Sequence, residues 1–373
     1  MHSPTPSSVA GPAELRRHLQ SQTSVLLYGA GTVGRDSLGV IQRAGVLVGA
    51  FLDAKPLPFS EIQGVPVLRP DDGCFSAEKR RETTVIVTIF NAYVDMPSLH
   101  ARLAELGWAK VVTFMAFYEA FAAELGNRYW LTSREYYAPL TAQLEAVRAL
   151  WADDKSRVVF DGIMRFRLSG DYAALDAAEL DSQYFPPDLP GWQTPLRLVD
   201  CGAYNGDTLR QVRGLALPLE AYAAFEPDLA NYSKLSTEVH SAPEGAPGQT
   251  VLLPCGAWSH ACQLRFSSGQ GSGSAVNASG DTVIQCVGID EALAAFRPTL
   301  IKMDIEGAEL PALFGAARTI KAHRPGLAVC LYHEPAHLWQ IPLLVASWGL
   351  NYRFYLRCHC HNGFELVLYA IPV

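Results

Sequence analysis

The chain has 373 residues, beyond the ~250–300 at which one hydrophobic core stops growing, so two or three domains are expected. Hydrophobic residues make up 49% and charged residues 18%; the charged share lies below the ~25% of an average soluble chain, which excludes a disordered or solvating protein. With 30 Lys and Arg against 37 Asp and Glu, the net charge is −7, and a general nucleic-acid binder would carry a basic footprint instead.

The first twenty residues, MHSPTPSSVAGPAELRRHLQ, hold no apolar core of signal-peptide length and read as a flexible N-terminus, 1–20. No later apolar run reaches the ~18 residues needed to span a bilayer. The eight cysteines are scattered, which suits reduced thiols in a cytoplasmic protein. Their one cluster is Cys358-His359-Cys360-His361, in an alternating stretch. On a strand the thiols face one side and the imidazoles the other, so the four cannot close on one metal.

Residues 21–120 predict a first domain. An apolar strand (Val25–Tyr28) runs into Gly29-Ala30-Gly31-Thr32-Val33-Gly34, then a helix, then a second strand ending in Asp53. This is G-x-G-x-x-G in its strand–turn–helix context. Gly29 permits the tight turn, Gly31 lets a pyrophosphate approach, and Gly34 lets helix and strand pack closely. Thr32 and Val33 open the helix, whose free N–H groups and dipole favour an anion, and Asp53 is placed for ribose hydroxyls. Two readings stand side by side: the loop holds a nucleotide or dinucleotide, or its glycines serve packing alone and the pocket is empty. Further strands in GVPVLRPDD, TTVIVTIF and AKVVTFM, with a helix in MPSLHARLAELG, complete a doubly wound parallel sheet. The stretch resembles the small Rossmann modules that precede sugar-modifying domains in bacterial glycan enzymes.

Residues 121–182 predict a helical bridge between two domains. Ser133 and Asp154 are candidate caps, and Leu140, Leu144, Val147, Leu150 and Trp151 form apolar stripes. Tyr129, Trp130, Tyr136 and Tyr137 suit core or interface. Arg165 and Arg167 are expected on a solvated face, with an anionic substrate as the alternative. The Pro-rich DSQYFPPDLPGW marks entry to the next domain.

Residues 183–373 carry the chemistry. A strand (Leu196–Val199) delivers Asp200 and the loop Gly202, Ala203, Tyr204, Asn205, Gly206, Asp207, Thr208. Small residues at 202, 203 and 206 let this loop fold tightly under a ligand. A second strand ends in Glu226-Pro227-Asp228, with Asn231 following, and its acid is placed for a ribose diol. Asp200 precedes the first glycine; a carboxylate there would repel a pyrophosphate but suits an ammonium and a sulfonium, which favours S-adenosylmethionine over NAD. VLLPCGAWS reads as a strand ending in the loop Gly256-Ala257-Trp258, and a Gly/Ser-rich loop containing Ser274 follows. The strand in TLIKMDIEGAE delivers Asp304, Glu306 and Glu309 at its C-terminal end, with Lys302 on the same face as Asp304. His333 ends the next strand.

These pieces resemble the FkbM-type family of S-adenosylmethionine-dependent methyltransferases. The resemblance runs through VDCGAYNGDT, FEPD with Asn231, GAWS, IKMDIEGAE, LYHEPAHLWQIPLL and YRFYLRCHCHNGFELVLYAI, over roughly 183–373, and QYFP just upstream also fits. It implies a seven-strand methyltransferase fold and O-methylation, commonly of sugar or polyketide hydroxyls. The whole chain is then α/β: two Rossmann-like doubly wound domains joined by a helical bridge.

A positioned base removes the proton of the acceptor hydroxyl, and His333 is the first candidate because its ordinary pKa lies near neutrality, with Asp304 the second. Lys302 would stabilise an alkoxide or pair with a carboxylate. Asp304, Glu306 and Glu309 would hold a divalent cation, unless Glu306 and Glu309 brace the following helix. The acceptor is a small molecule or glycan; nucleic acid and a membrane span are not expected, and no oligomer is required. The competing readings are a nicotinamide oxidoreductase using the Gly29–Gly34 loop, for which no Tyr-x-x-x-Lys pair is found there, and a non-enzymatic nucleotide sensor.

Overall fold

The computed structural model describes residues 11–176, 182–241, 247–267, 275–276 and 280–373. The chain forms two compact units, Met1–Leu140 with Asp161–Ala178 and Cys360–Phe364, and Thr141–Phe160 with Glu179–His359 and Glu365–Val373. The expected bridge is helical, but it is no separate body. Residues 121–140 and 161–178 belong to the first unit and 141–160 to the second, so the long helix Asp154–Ser169 changes unit midway. Among the described residues, no helix is long and apolar enough to cross a membrane.

The first unit is built on β1 (Val25–Tyr28), β2 (Val48–Leu52), β3 (Glu61–Ile62), β4 (Val65–Leu68), β5 (Thr84–Val87) and β6 (Lys110–Val112), in the order β3-β4-β2-β1-β5-β6. All pairings are parallel except the β3–β4 hairpin. Every position of β1 and β5 is buried, as befits strands covered on both faces. At the end of β1 the chain turns through Gly29 at φ +113°. A Cβ on Gly34 would lie 2.0 Å from the Gly29 carbonyl oxygen, whereas one on Gly31 would meet nothing within 4 Å. Thus Gly34 serves helix–strand packing, and Gly31 faces open space. Asp53 holds the loop from the end of β2: its Oδ2 accepts the Ala30 N–H (3.1 Å) and its Oδ1 the Lys55 N–H (2.9 Å).

Two local expectations change here. Arg167 is not solvated: it is 3% exposed, its guanidinium lies 5.1 Å from the Trp130 ring centroid, and Nη1 donates to the Tyr137 hydroxyl (3.4 Å). The flat, weakly hydrated cation is buried because an aromatic face receives it. The alternation through Cys358-His359-Cys360-His361 also breaks. The strand ends at Cys358, and a short turn over His361–Gly363 follows, with Asn362 at φ 60°. Asn362 Nδ2 donates to the carbonyls of Asn91 (2.9 Å) and Val94 (2.8 Å), which draws this segment out of the strand and into the first unit.

The second unit contains β7 (Leu196–Cys201), β8 (Leu219–Phe225), β9 (Gln249–Leu253), β10 (Gly256–Ala257), β11 (Cys262–Ser267), β12 (Ala275–Val276), β13 (Thr282–Val287), β14 (Leu300–Met303), β15 (Gly326–Cys330), β16 (Tyr352–Cys358) and β17 (Leu366–Pro372). Seven of them form one sheet in the order β16-β17-β15-β14-β7-β8-β9, parallel except that β17 runs against both β15 and β16. A smaller sheet, β10-β13-β11-β12, takes the stretch expected to be a ligand loop. Gly256 and Ala257 pair with Cys286 and Val287, and the Trp258 N–H donates to the Val287 carbonyl (3.0 Å). These three residues are a strand and its continuation, because their backbone groups find partners in β13.

Replacing a helical glycine by alanine ordinarily stabilises a helix by ~0.5–1 kcal/mol. Gly34→Ala should do the reverse, destabilising by ~1–3 kcal/mol through overpacking against the Gly29 carbonyl; denaturant unfolding of the full chain reads the sign.

Candidate active site

The C-terminal edge of the large sheet is shaped first by a buried cross-strand pair. Asp200 and Lys302 are register partners on β7 and β14. Lys302 Nζ lies 3.1 Å from Asp200 Oδ1, and Tyr222 donates to Asp200 Oδ2 (2.9 Å). The same ammonium donates to the Gly202 carbonyl (2.7 Å) and sits 5.2 Å from the centroid of the Tyr184 ring. Burial alone would drive Lys302 towards neutrality, but Asp200, then Asp304 and Asp207, outweigh it and push its pKa up. Burial pushes Asp200 up, with Lys302 opposing. Of the two roles expected for Lys302, the structure shows the pairing with a carboxylate. Asp200 is 0% exposed and Lys302 2%. Both brace the sheet.

The loop after β7 folds onto that brace. Gly202 has φ +75°, and a Cβ there would lie 1.9 Å from the Asp304 carbonyl oxygen. Its N–H and that of Ala203 donate to the Phe225 carbonyl (3.0 and 3.1 Å). Gly206, at φ +83°, caps the helix Asp207–Gly214. Asn205 is taken up by Arg210, which donates to its side-chain oxygen (2.6 Å) and its carbonyl (2.9 Å). Asp207 is exposed, and its Oδ1 accepts the Thr208 N–H (2.8 Å). Thr208 is 3% exposed, and its hydroxyl has no hydrogen-bond partner among the described residues.

Glu226 stands at the end of β8, as expected. Its Oε2 accepts the Tyr204 N–H (2.8 Å) and its Oε1 the Asp228 N–H (2.9 Å), so it ties two loops together. Burial pushes its carboxyl up to about 7, against the pull of those two N–H groups. Beyond Pro227, Asp228 is a helix cap: its Oδ1 accepts the N–H groups of Ala230 (2.9 Å) and Asn231 (3.1 Å). Ser274 lies outside the described residues.

The acidic cluster gathers at the ends of β14 and β15. Glu309, fully buried, accepts the N–H groups of Ile305 (2.8 Å) and Gly307 (3.2 Å). Its two oxygens also face His333 Nδ1 at 2.7 Å and His337 Nδ1 at 3.3 Å. His333 Nε2 lies 3.3 Å from Asp304 Oδ1 and 3.7 Å from Glu306 Oε1. Burial would lower the His333 pKa, but Glu309, Glu306 and Asp304 push it up to about 10. Burial would raise Glu309, yet His333 and His337 hold it well below the usual carboxylate range. The three carboxylates around His333 therefore favour its imidazolium form, whereas its reading as the base rested on an ordinary pKa near neutrality.

Asp304 is differently placed. Tyr184 donates to its Oδ2 (2.6 Å), and the Tyr332 hydroxyl lies 3.4 Å from its Oδ1. Its side chain is 23% exposed, against 16% for Glu306, 1% for His333 and 0% for Glu309. Burial pushes Glu306 up to about 7. Asp304, Glu309 and His333 each bring one ligand atom within 4.8 Å of the others. Glu309, however, is already saturated by two N–H groups and two imidazoles, and its charge is balanced by His333. This donor set does not fit a divalent cation, and no step is derived through one.

Sequence reasoning missed Tyr184, Tyr332, Gln183 and Glu365, which meet around Asp304 from three segments. Gln183 and Tyr184 lie in QYFP, Tyr332 in LYHEPAHLWQIPLL and Glu365 in YRFYLRCHCHNGFELVLYAI, but no role was read for any of them.

The seven-stranded sheet with one reversed strand, the glycine loop after β7 and the acid ending β8 define a methyltransferase-type α/β domain. Residues 200–354 match the family model of the methyltransferase FkbM domain. The match to the FkbM methyltransferase domain is thus confined to residues 200–354, and that family's chemistry implies S-adenosylmethionine as methyl donor. Across 96% of its length the chain is similar to the crystal structure of methyltransferase FkbM from Methylobacillus flagellatus KT, with a TM-score of 0.79, 23% identity and 94% of that chain covered. At that identity the likeness shows the fold. No curated protein matches the chain. Neither the oxidoreductase nor the sensor reading finds support in these comparisons.

The His333–Glu309 pair gives stability a sign. His333 has its folded pKa raised from an ordinary value near ~6.5 to about 10, so its contribution is complete below ~6.5 and lost as pH rises through about 10. Glu309 is depressed, so its contribution is present above its ordinary value and lost in acid. The melting temperature should fall between pH 7 and pH 10, and Glu309→Gln should flatten that slope. Lys302→Met, which strands Asp200, should cost ~3–5 kcal/mol in denaturant unfolding.

Proposed function

We propose that the chain is an S-adenosylmethionine-dependent O-methyltransferase acting on a hydroxyl of a sugar, glycan or related small metabolite. The observation that carries this reading is Asp304, the most open carboxylate of an otherwise buried cluster, on the same sheet edge as the Gly202–Thr208 loop and Glu226. The residues fit the cofactor. Glu226 offers acceptor oxygens to a ribose diol, the loop is built of small residues, and the buried Thr208 hydroxyl is left with a bond to make. When bound, the cofactor supplies an electrophilic methyl group on a sulfonium. The chain's own part is to bind, orient and deprotonate the acceptor. Tyr184 and His333 fix the Asp304 carboxylate from two sides, and orientation of this kind is worth ~7–11 kcal/mol at best. Asp304 then takes the hydroxyl proton.

The first unit enters the same reading as the binder of a nucleotide or a nucleotide-linked acceptor. Its support is the open space at Gly31 and the Asp53 carboxylate at the end of β2. The net charge of −7 disfavours nucleic acid as the acceptor and does not discriminate among sugars.

S-adenosylhomocysteine should raise the melting temperature of the full chain, by the equivalent of ~2.7 kcal/mol at a hundredfold excess over Kd, and Glu226→Gln should abolish most of that gain. With labelled S-adenosylmethionine and a panel of methyl glycosides and nucleoside-diphosphate sugars, Asp304→Asn should lower kcat by ~10²–10⁴-fold while keeping the S-adenosylhomocysteine shift. Unchanged turnover in Asp304→Asn would remove Asp304 as the base.

A further inference from the structure

Glu365 is the first residue before β17 and has φ +50°, a conformation uncommon for a residue other than glycine. Its carboxylate is held inside the site. Oε1 accepts the Tyr332 hydroxyl (3.0 Å) and Oε2 accepts Gln183 Nε2 (2.5 Å). The same Tyr332 hydroxyl lies 3.4 Å from Asp304 Oδ1, and Asp304 and Glu365 each have a carboxylate oxygen within 4.8 Å of the other's. One phenol therefore stands between two carboxylates. Left-handed backbone also recurs at Tyr184, Tyr204 and Glu306 on this edge, and strained residues of that kind persist where the surrounding structure holds them for a purpose.

We propose that Tyr332 and Glu365 form a proton path leading away from Asp304, with Glu365 as the terminus. The path rests on the O-methyl reading. As the acceptor oxygen gains its methyl group, its O–H bond breaks onto Asp304. Asp304 then passes a proton to the Tyr332 oxygen while the Tyr332 hydroxyl proton moves to Glu365 Oε1. Tyr332 ends as a neutral phenol, Asp304 is charged again, and Glu365 is a neutral acid. The positive charge lost at the sulfonium equals the negative charge lost at Glu365, so no co-reactant is needed.

The electrostatics favour this direction. A proton resting on Asp304 would remove its attraction to the His333 imidazolium 3.3 Å away; moving it to Glu365 restores that attraction. Burial first, then Asp304, pushes Glu365 up to about 7, with His333, Tyr332 and Gln183 pulling the other way. Tyr332 is pushed well up by burial, by Asp304 and Glu365, and by Cys330 and Glu306, so it stays protonated and relays rather than ionises. Glu365 touches no acceptor in this scheme. It is a positioning residue for the proton.

The test uses the full chain and the variants Glu365→Gln, Glu365→Asp and Tyr332→Phe. On the resting protein, difference infrared titration should show a carboxylic-acid carbonyl band that titrates near pH 7, is lost in Glu365→Gln, and is shifted in Tyr332→Phe. In turnover of labelled S-adenosylmethionine with methyl glycosides, wild-type kcat/KM should fall as pH drops through about 7. Glu365→Gln and Tyr332→Phe should lower kcat by on the order of 10²-fold and erase that acid limb, leaving acceptor KM and the S-adenosylhomocysteine shift in place. Glu365→Asp should recover part of kcat. Wild-type kcat and an unchanged acid limb in Tyr332→Phe overturn the path, as does a resting protein in which Glu365→Gln removes none of the carboxylic-acid absorption that titrates near pH 7, Glu226 and Glu306 accounting for what remains. If the band behaves as described but the wild type methylates no hydroxyl probe, it is the O-methyl reading that is overturned, and the Tyr332–Glu365 coupling stands.

Discussion

The site depends on one buried ammonium. Lys302 joins β14 to β7 through Asp200 and holds the Gly202 carbonyl, so a single charge sets both the strand register and the loop that follows. Taking two charges out of water is expensive and is repaid only by good geometry and further hydrogen bonds. Here Tyr222, Gly202 and the Tyr184 ring supply them. With the loop pinned, Gly202 lies against the Asp304 backbone, closer than any side chain allows. The Gly202–Thr208 loop and Asp304 are thereby fixed to each other through backbone rather than through flexible side chains.

Around that frame the acids are sorted by what faces them. Glu309 is ionised because two imidazoles and two N–H groups surround it. Its charge, with those of Glu306 and Asp304, pushes the His333 pKa up and favours the imidazolium. Glu306, Glu226 and Glu365 are buried with less compensation and sit up at about 7. Pairs of titratable groups pushed apart by their surroundings are the usual sign of divided acid and base roles. In the proposed reaction the buried imidazole orients Asp304, and the carboxylates exchange protons.

Much of the fold was legible because doubly wound sheets write themselves plainly. Continuous apolar runs at Val25–Tyr28, Leu196–Val199 and Thr299–Met303 mark strands covered on both faces, and glycines at 29, 34, 202 and 206 mark turns at their ends. The positions of Asp304 and Glu226 just past the C-terminal ends of β14 and β8 were legible in the same way, and the rule that ligands gather at that edge singles them out. The small sheet was less legible: Gly256-Ala257-Trp258 reads as a loop until β13 is seen to pair with it. Tyr184 and Glu365 lie in segments that carry the family resemblance, but their roles were not legible, since the first acts on a residue 120 positions away and the second on a side chain 33 positions away.

By itself the sequence determined which residues could do chemistry and at which edge they would stand, because strand periodicity, glycine turns and the order of acids along the chain are local properties. Only the tertiary structure decided their protonation and their roles. Lys302 and Asp200 became a brace, His333 was pushed towards its imidazolium form, and Glu365 joined the site. The reason is physical: a side chain's charge state follows from burial and from the charges packed within a few ångströms, and those neighbours come from strands far apart in the chain.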